Sequence, residues 1–202
     1  MDFAIPVQLL EVGNIHMKPF QQKGSYPPLA QLQYTAQNIT LKHLTLLTPP
    51  LKIEEWNGTR GRLRLNCDRH MQFKTKFYAM QEYLIGTLFV HQQLFLSRKD
   101  LSHETIRNCF KPLFVDGILS CFISIYHLFP LYEGGRRVSP EEFVSALKAG
   151  REMRLLLQLT GISQLTSSPE PYSFRIQHQI LGAYLLPDSA SAKAALSYTP
   201  SQ

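Results

Sequence analysis

The chain has 202 residues and a mass of 23.2 kDa, the size of one domain or of one domain with appendages. Hydrophobic residues make up 44% and aromatic residues 11%, enough for a real core, while charged residues at 18% exclude a disordered chain or a coiled coil. The formal charge of +6 is uneven: Lys/Arg against Asp/Glu is three to two over 1–50, eleven to six over 51–112, and seven to seven over 113–202.

That local excess marks either a polyanion-binding surface or a solvated basic face. No apolar run reaches the ~18 residues of a membrane span. The start Met1-Asp2-Phe3-Ala4 lacks a basic region followed by an apolar stretch, so no signal peptide is expected. Cys67, Cys109 and Cys121 cannot all pair with one another, and a reducing, intracellular compartment is the simpler reading.

Residues 18–28 hold three prolines and a glycine among mostly polar residues and read as an irregular loop. A strand is predicted over Asn38 to Thr48, stopped by Pro49-Pro50. Asn57-Gly58 is a tight-turn signal, because both residues tolerate positive φ. Beyond it Arg60, Arg62 and Arg64 alternate with Gly61, Leu63 and Leu65, which predicts a strand with three arginines on one face. Phe73, Phe77, Met80, Leu84 and Leu88 then recur at helical spacing, and Gly86 weakens that helix slightly.

A second, shorter helix is predicted from Ser102 as N-cap, with Pro112 ending it. Residues 117–129 are β-rich and apolar on both faces, the pattern of a long central strand. Pro130 to Arg137 reads as turn or loop. Ser139-Pro140-Glu141-Glu142 is a capping-box pattern opening a short helix that stops near Gly150. Met153, Leu155, Leu157 and Leu159 alternate along one strand, and a last strand runs from Ser173 to Leu185. The small, polar segment after Pro187 reads as a tail. Five strands with helices between them predict an α+β fold, mostly antiparallel, built as a small barrel with helical insertions.

Motifs for phosphate-binding glycine loops and for a nucleophile elbow are missing from the sequence. Cys67-Asp-Arg-His70 is a lone C-x-x-H with no second pair at a zinc-site spacing, and it reads as a turn. Cys109 and Cys121 sit among apolar residues as packing groups. Adjacent acids such as Glu54-Glu55 point apart on a strand, and Glu142 serves the cap. His127 and His178 lie on strand-like segments, where satisfied buried histidines are the commoner case. The expectation is a protein that is not an enzyme, with no catalytic residue, metal or cofactor.

Like charges on one strand face need solvent or an anionic partner. The Arg60, Arg62 and Arg64 stripe, extended by Arg69, His70, Lys74 and Lys76, can therefore track a phosphate backbone. Trp56, just before the stripe, can stack a base or close the edge of the core. Arg98-Lys99 and Arg136-Arg137 lie in predicted loops that could add phosphate contacts. Phe95 and Tyr132, read as exposed aromatics in such loops, and Tyr126 are further stacking candidates, with local packing the other reading of Phe95 and Tyr132.

Several segments together resemble the single-stranded DNA-binding proteins of nucleocytoplasmic large DNA viruses, including the poxvirus-type group. They are Leu44 to Pro50, the Arg62 to Leu65 strand, the helix around Phe77 to Leu88, Leu101 to Pro112, the strand to Phe129 and Arg154 to Ile162. The resemblance spans about 38–186 and rests on spacing and hydrophobicity. It implies an OB-like five-stranded barrel over 38–186; outside it, 1–37 reads as an irregular arm and 187–202 as a flexible tail. It also implies sequence-nonspecific binding of single-stranded DNA, with RNA the other ligand, in viral replication, repair or recombination. Self-association and a place in the host cytoplasm or nucleus go with it. One departure is the tail, where Asp188 is the only acid after Glu170, unlike the acidic tails by which many such proteins recruit partners. The competing reading is a non-enzymatic virion or scaffold protein working through protein contacts.

Overall fold

The computed structural model describes residues 4–36, 39–97, 99–123, 130–165 and 173–187. In chain order the strands before the first helix are β1 (Ile5–Pro6), β2 (Ile15–Met17), β3 (Leu29–Ala36), β4 (Ile39–Leu41), β5 (Leu44–Leu47), β6 (Leu51–Asn57) and β7 (Arg62–Asn66). Three helices follow: α1 (Met71–Val90), α2 (Gln92–Leu96) and α3 (His103–Cys109). Next come β8 (Phe110–Lys111), β9 (Phe114–Val115), β10 (Ile118–Phe122), β11 (Leu131–Glu133) and β12 (Arg136–Arg137). Helix α4 (Pro140–Ala146) and the long strands β13 (Glu152–Leu165) and β14 (Ser173–Leu185) complete the order.

The fold is α+β with mostly antiparallel pairing. Its main path runs β12-β11-β14-β13-β6-β7-β10-β9, and the remaining strands branch from it. Strand β13 organises the sheet because one of its edges carries β14 and the other is divided among three strands. Those three are β6 at Met153↔Leu51, β5 from Leu156↔Leu47 to Leu159↔Leu44, and β3 from Gly161↔Gln31 to Ser163↔Leu29. Among the described residues the pairing is thus an open, branched sheet, larger than the expected set of five strands. The two ends of the path β14-β13-β6-β7-β10 still approach each other. There the Phe122 N–H donates to Nε2 of His178 at 3.1 Å.

The alternation expected along β13 is observed: Met153, Leu155, Leu157 and Leu159 are fully buried. They share a core with Leu63 and Leu65 of β7 and Leu119 and Cys121 of β10. Across it lies α1, whose stripe of Phe73, Phe77, Met80, Leu84 and Leu88 is buried throughout. Phe73 and Phe77 stack at 4.9 Å between ring centroids, and both meet Phe114 at about 6 Å. Gln81 is buried in the same helix because its side chain imitates a strand. Its Nε2 donates to the Phe114 carbonyl and its Oε1 accepts from the Phe114 N–H, both at 3.0 Å. Both helix caps are as expected. Ser102 Oγ accepts from the Thr105 N–H at 3.0 Å, and Ser139 and Glu142 form a reciprocal capping box.

Three segments differ from expectation. Residues 29–36, within the arm read as irregular, form β3, whose Ala30, Leu32 and Tyr34 are buried in alternation. The strand expected over Asn38 to Thr48 is broken into β4 and β5 by a bend at Lys42-His43. Pro130 to Arg137 is not a loop: β11 and β12 form a hairpin turned by Gly134-Gly135, and β11 runs parallel to β14. The expected long strand ends at Phe122 in β10, and residues 124–129, with Tyr126 and His127, lie outside the described residues, as do Arg98 and the tail from 188.

Candidate nucleic-acid interface

The candidate site is built on the β6–β7 hairpin and on β10 beside it. The turn is longer than Asn57-Gly58 alone. Asn57 accepts the Arg60 N–H through its carbonyl at 3.2 Å and through Oδ1 at 3.1 Å. The positive φ falls on Gly61, at +60°. A side chain there would also collide with the Ile123 carbonyl oxygen, 2.6 Å from where a Cβ would sit. Strand β7 therefore starts at Arg62, and Arg60 sits in the turn instead of on the strand face. Arg60 is exposed and has no side-chain partner among the described residues.

Register decides what surrounds each remaining arginine, since cross-strand partners share a face. Arg62 lies between Asn57 of β6 and Phe122 of β10; Arg64 lies between Glu55 and Ser120. Arg64 is already occupied, with Nη1 3.2 Å from Glu55 Oε2. Such half-exposed pairs hold by at most about 1 kcal/mol, so an incoming phosphate can compete for Arg64. Arg62 is exposed and no acid pairs with it among the described residues.

Trp56 is not beside this row. A bulge between Ile53 and Glu55 shifts the register, and Trp56 then pairs with fully buried Leu63. The indole therefore lies on the core side of the hairpin, half-buried against the core. The aromatic group on the arginine face is Phe122, 53% exposed and directly across from Arg62. Its ring stacks on His178 of β14, with centroids 6.2 Å apart and planes 27° from parallel.

His178 closes the approach of β10 to β14. Burial, and more weakly the nearby Arg175 charge, hold its imidazole below the ordinary value, while a hydrogen bond to the Ile176 backbone opposes them. Nε2 must be unprotonated to accept the Phe122 N–H. The unfolded chain therefore binds a proton more readily than the folded one. The stability supplied here is present in full above the unfolded-state value of about 6.5 and is lost as pH falls through it toward the folded-state value. The expected result is that thermal midpoints from pH 7.5 down to about 5.5 fall less steeply for His178→Gln than for the native chain. Parallel curves would remove His178 from this role.

The other expected cations are dispersed. Lys74 Nζ pairs with Asp68 at 3.0 Å, and with Asn66 it holds that carboxyl below the usual range. Lys76 Nζ donates to the Leu10 carbonyl at 2.7 Å, which ties α1 to the N-terminal segment. Arg69 is exposed in the turn before α1, and His70 is the N-cap residue of that helix. Lys99 is exposed beyond α2. Phe95 is in α2 and not in a loop; it is buried and meets Phe20 edge-on at 6.3 Å. Tyr132, Arg136 and Arg137 belong to the β11–β12 hairpin. It pairs with the C-terminal end of β14 at Ala183 to Leu185, beyond the Phe122–His178 contact, and Arg136 approaches Glu142 at 3.6 Å. Of the expected set, the face of β7 thus gathers Arg62 and Arg64, with Arg60 at its edge.

Cys67 is buried and its thiol is pushed up to about 12, and burial raises the Cys121 thiol as well. Cys67-Asp-Arg-His70 is the turn expected, closed by the His70 N–H on the Cys67 carbonyl at 2.9 Å. Among the described residues no three His, Cys, Asp or Glu side chains are grouped to hold a metal ion, and no helix is long and apolar enough to cross a membrane.

Sequence reasoning missed Phe122 because residues 117–129 looked apolar on both faces. The signal was present: Ile118, Ser120 and Phe122 share one phase and Leu119 and Cys121 the other. A serine in the middle of a phase marks it as the wet one.

No protein-family profile matches the chain, and no curated protein matches it. Three solved structures similar to it are of the single-stranded DNA-binding protein from bacteriophage Enc34. The first is 13% identical, with a TM-score of 0.42 over 86% of this chain and 90% of that one. The second, in complex with single-stranded DNA, is 13% identical with a TM-score of 0.40 over 85% and 96%. A C-terminal truncation is 12% identical, with a TM-score of 0.41 over 86% and 96%.

Proposed function

We propose that this protein binds single-stranded DNA without sequence preference, across the outward face of β7 and β10. The observation that carries the proposal is the Arg62–Phe122 pair, a guanidinium with no acid partner among the described residues and an exposed phenyl ring side by side on a sheet surface. A guanidinium neutralises phosphate and a flat ring stacks any base, so together they suit an unpaired strand and not a duplex, whose bases are already stacked. The strand adjacencies support an OB-like reading. In chain order β6, β7, β10, β13 and β14 pair as β6-β7, β7-β10, β6-β13 and β13-β14. The Phe122–His178 contact would be the seam of that barrel. In this architecture the second and third strands form the oligonucleotide-binding face, and here those are β7 and β10. A role in viral DNA replication, repair or recombination rests on the family resemblance.

Filter binding of labelled single-stranded homopolymers at two salt concentrations tests the reading. The logarithm of the affinity should fall with the logarithm of salt, by about 0.7 for each phosphate neutralised, and by similar amounts for different homopolymers. Equal affinity at both concentrations contradicts the mechanism, and retention of duplex DNA in preference to single strands contradicts the choice of ligand.

A further inference from the structure

A cleft of about 520 Å³ lies between the segment 21–31 and the outer faces of β13 and β14, within the ~300–1,000 Å³ range of small-molecule sites. Its wall combines a free ring with unmet polar groups. Tyr26 is 74% exposed, and Lys23 accompanies it in the same turn. Nδ1 of His43 is buried without a hydrogen-bond partner among the described residues. Gln31 Nε2 donates to the Lys42 carbonyl at 3.1 Å, and Gln177 Nε2 donates to Ser163 Oγ at 2.6 Å. Each amide nitrogen is thereby tied to the wall, while neither amide oxygen has a partner among the described residues. No carboxylate lines the cleft among those residues.

This set of groups defines a ligand. Acceptor oxygens without donors call for N–H groups, the free tyrosine ring calls for a planar partner, and a lone ammonium without acids calls for an anion. A nucleotide unit supplies all three, because an unpaired base offers both its face and its Watson–Crick edge. The cleft and the arginine face meet the same strand from its two sides: Gln177 of β14 lines the cleft, and His178, on the opposite face of that strand, stacks on Phe122.

We infer that the cleft seats one nucleotide of the bound strand, with its base on Tyr26 and its phosphate toward Lys23. The inference rests on the DNA-binding reading above and takes the strand from β10 around β14 to that strand's other face. Fluorescence anisotropy with labelled oligothymidylate and competition by free thymidine monophosphate tests it. Tyr26→Ala should weaken oligonucleotide binding about tenfold with the salt slope unchanged, and Tyr26→Phe should bind as the native chain does. Since Tyr26 is exposed on a turn, both variants should keep the native thermal midpoint.

Unchanged oligonucleotide affinity in Tyr26→Ala, with the native salt slope retained, overturns the cleft and leaves the β7–β10 face standing. If free monophosphate binds and Tyr26→Ala abolishes that binding alone, the assignment to the bound strand is overturned. A native chain that ignores the oligonucleotide even at low salt overturns the DNA-binding reading, and this inference with it.

Discussion

Phe122→Ala should weaken single-stranded DNA binding by roughly 10- to 100-fold while leaving its salt dependence intact, because one stacked base contributes about 1–3 kcal/mol. The substitution keeps the backbone N–H that His178 accepts, so the β10–β14 contact survives it. Arg62→Glu should act through the other arm of the site. It removes one phosphate contact and adds a like charge, so affinity falls and the salt slope shrinks by about 0.7. Arg62 and Phe122 are cross-strand neighbours, and the double variant should lose less than the sum of the two. Trp56→Ala is the informative contrast. Its indole packs on the core side, so its loss should appear in the thermal midpoint before it appears in binding. Native affinity in both Phe122→Ala and Arg62→Glu, measured by anisotropy at low salt, would remove the site from β7 and β10.

Gly161→Val should cost about 3 kcal/mol of stability, since a side chain at this position has no room to relax. The position of a Cβ there is 2.4 Å from the Ala30 carbonyl oxygen and 2.8 Å from Leu29 Cδ1. The obstacle is backbone, and it belongs to the ladder that joins β3 to β13 at Gly161↔Gln31 and Ile162↔Ala30. Relief requires β3 to lift away, and β3 carries the floor of the Tyr26 cleft. The thermal midpoint should fall by roughly 6–12 °C in a chain of this size. Limited proteolysis should cut first within residues 18–36. A midpoint within a degree or two of the native value would show that β3 is held by other contacts.

The parts of the fold readable in advance were those set by local chemistry. The α1 stripe, the Ser102 and Ser139 caps, the alternation in β13 and the exact extent of β14 all depend on residues within a few positions of one another. The misread parts depend on partners far along the chain. Strand β3 alternates as clearly as β13 does, yet the prolines and glycine before it suggested a loop, and only pairing with Gly161 to Ser163 makes it a sheet strand. At the site, the period of two placed Arg62 and Arg64 on one face. It could not reveal that a bulge in β6 turns Trp56 to the core side, nor that Glu55 stands across from Arg64. Phe122 joins the site only through the register of β10 against β7. A sequence yields periodicity, whereas a surface site depends on register between strands that the sequence leaves open.

The division of one edge of β13 among β3, β5 and β6 has a consequence for how the chain acquires its structure. The Thr48 hydroxyl accepts the Leu155 N–H across a sequence separation of 107 residues. Closing loops of that length before any contact rewards it makes folding slow, with the C-terminal hairpin as the cheapest place to begin. A polypeptide emerging from the ribosome therefore exposes β5 without its β13 partner until most of the sequence has been translated, which leaves an unguarded apolar edge open to aggregation during synthesis.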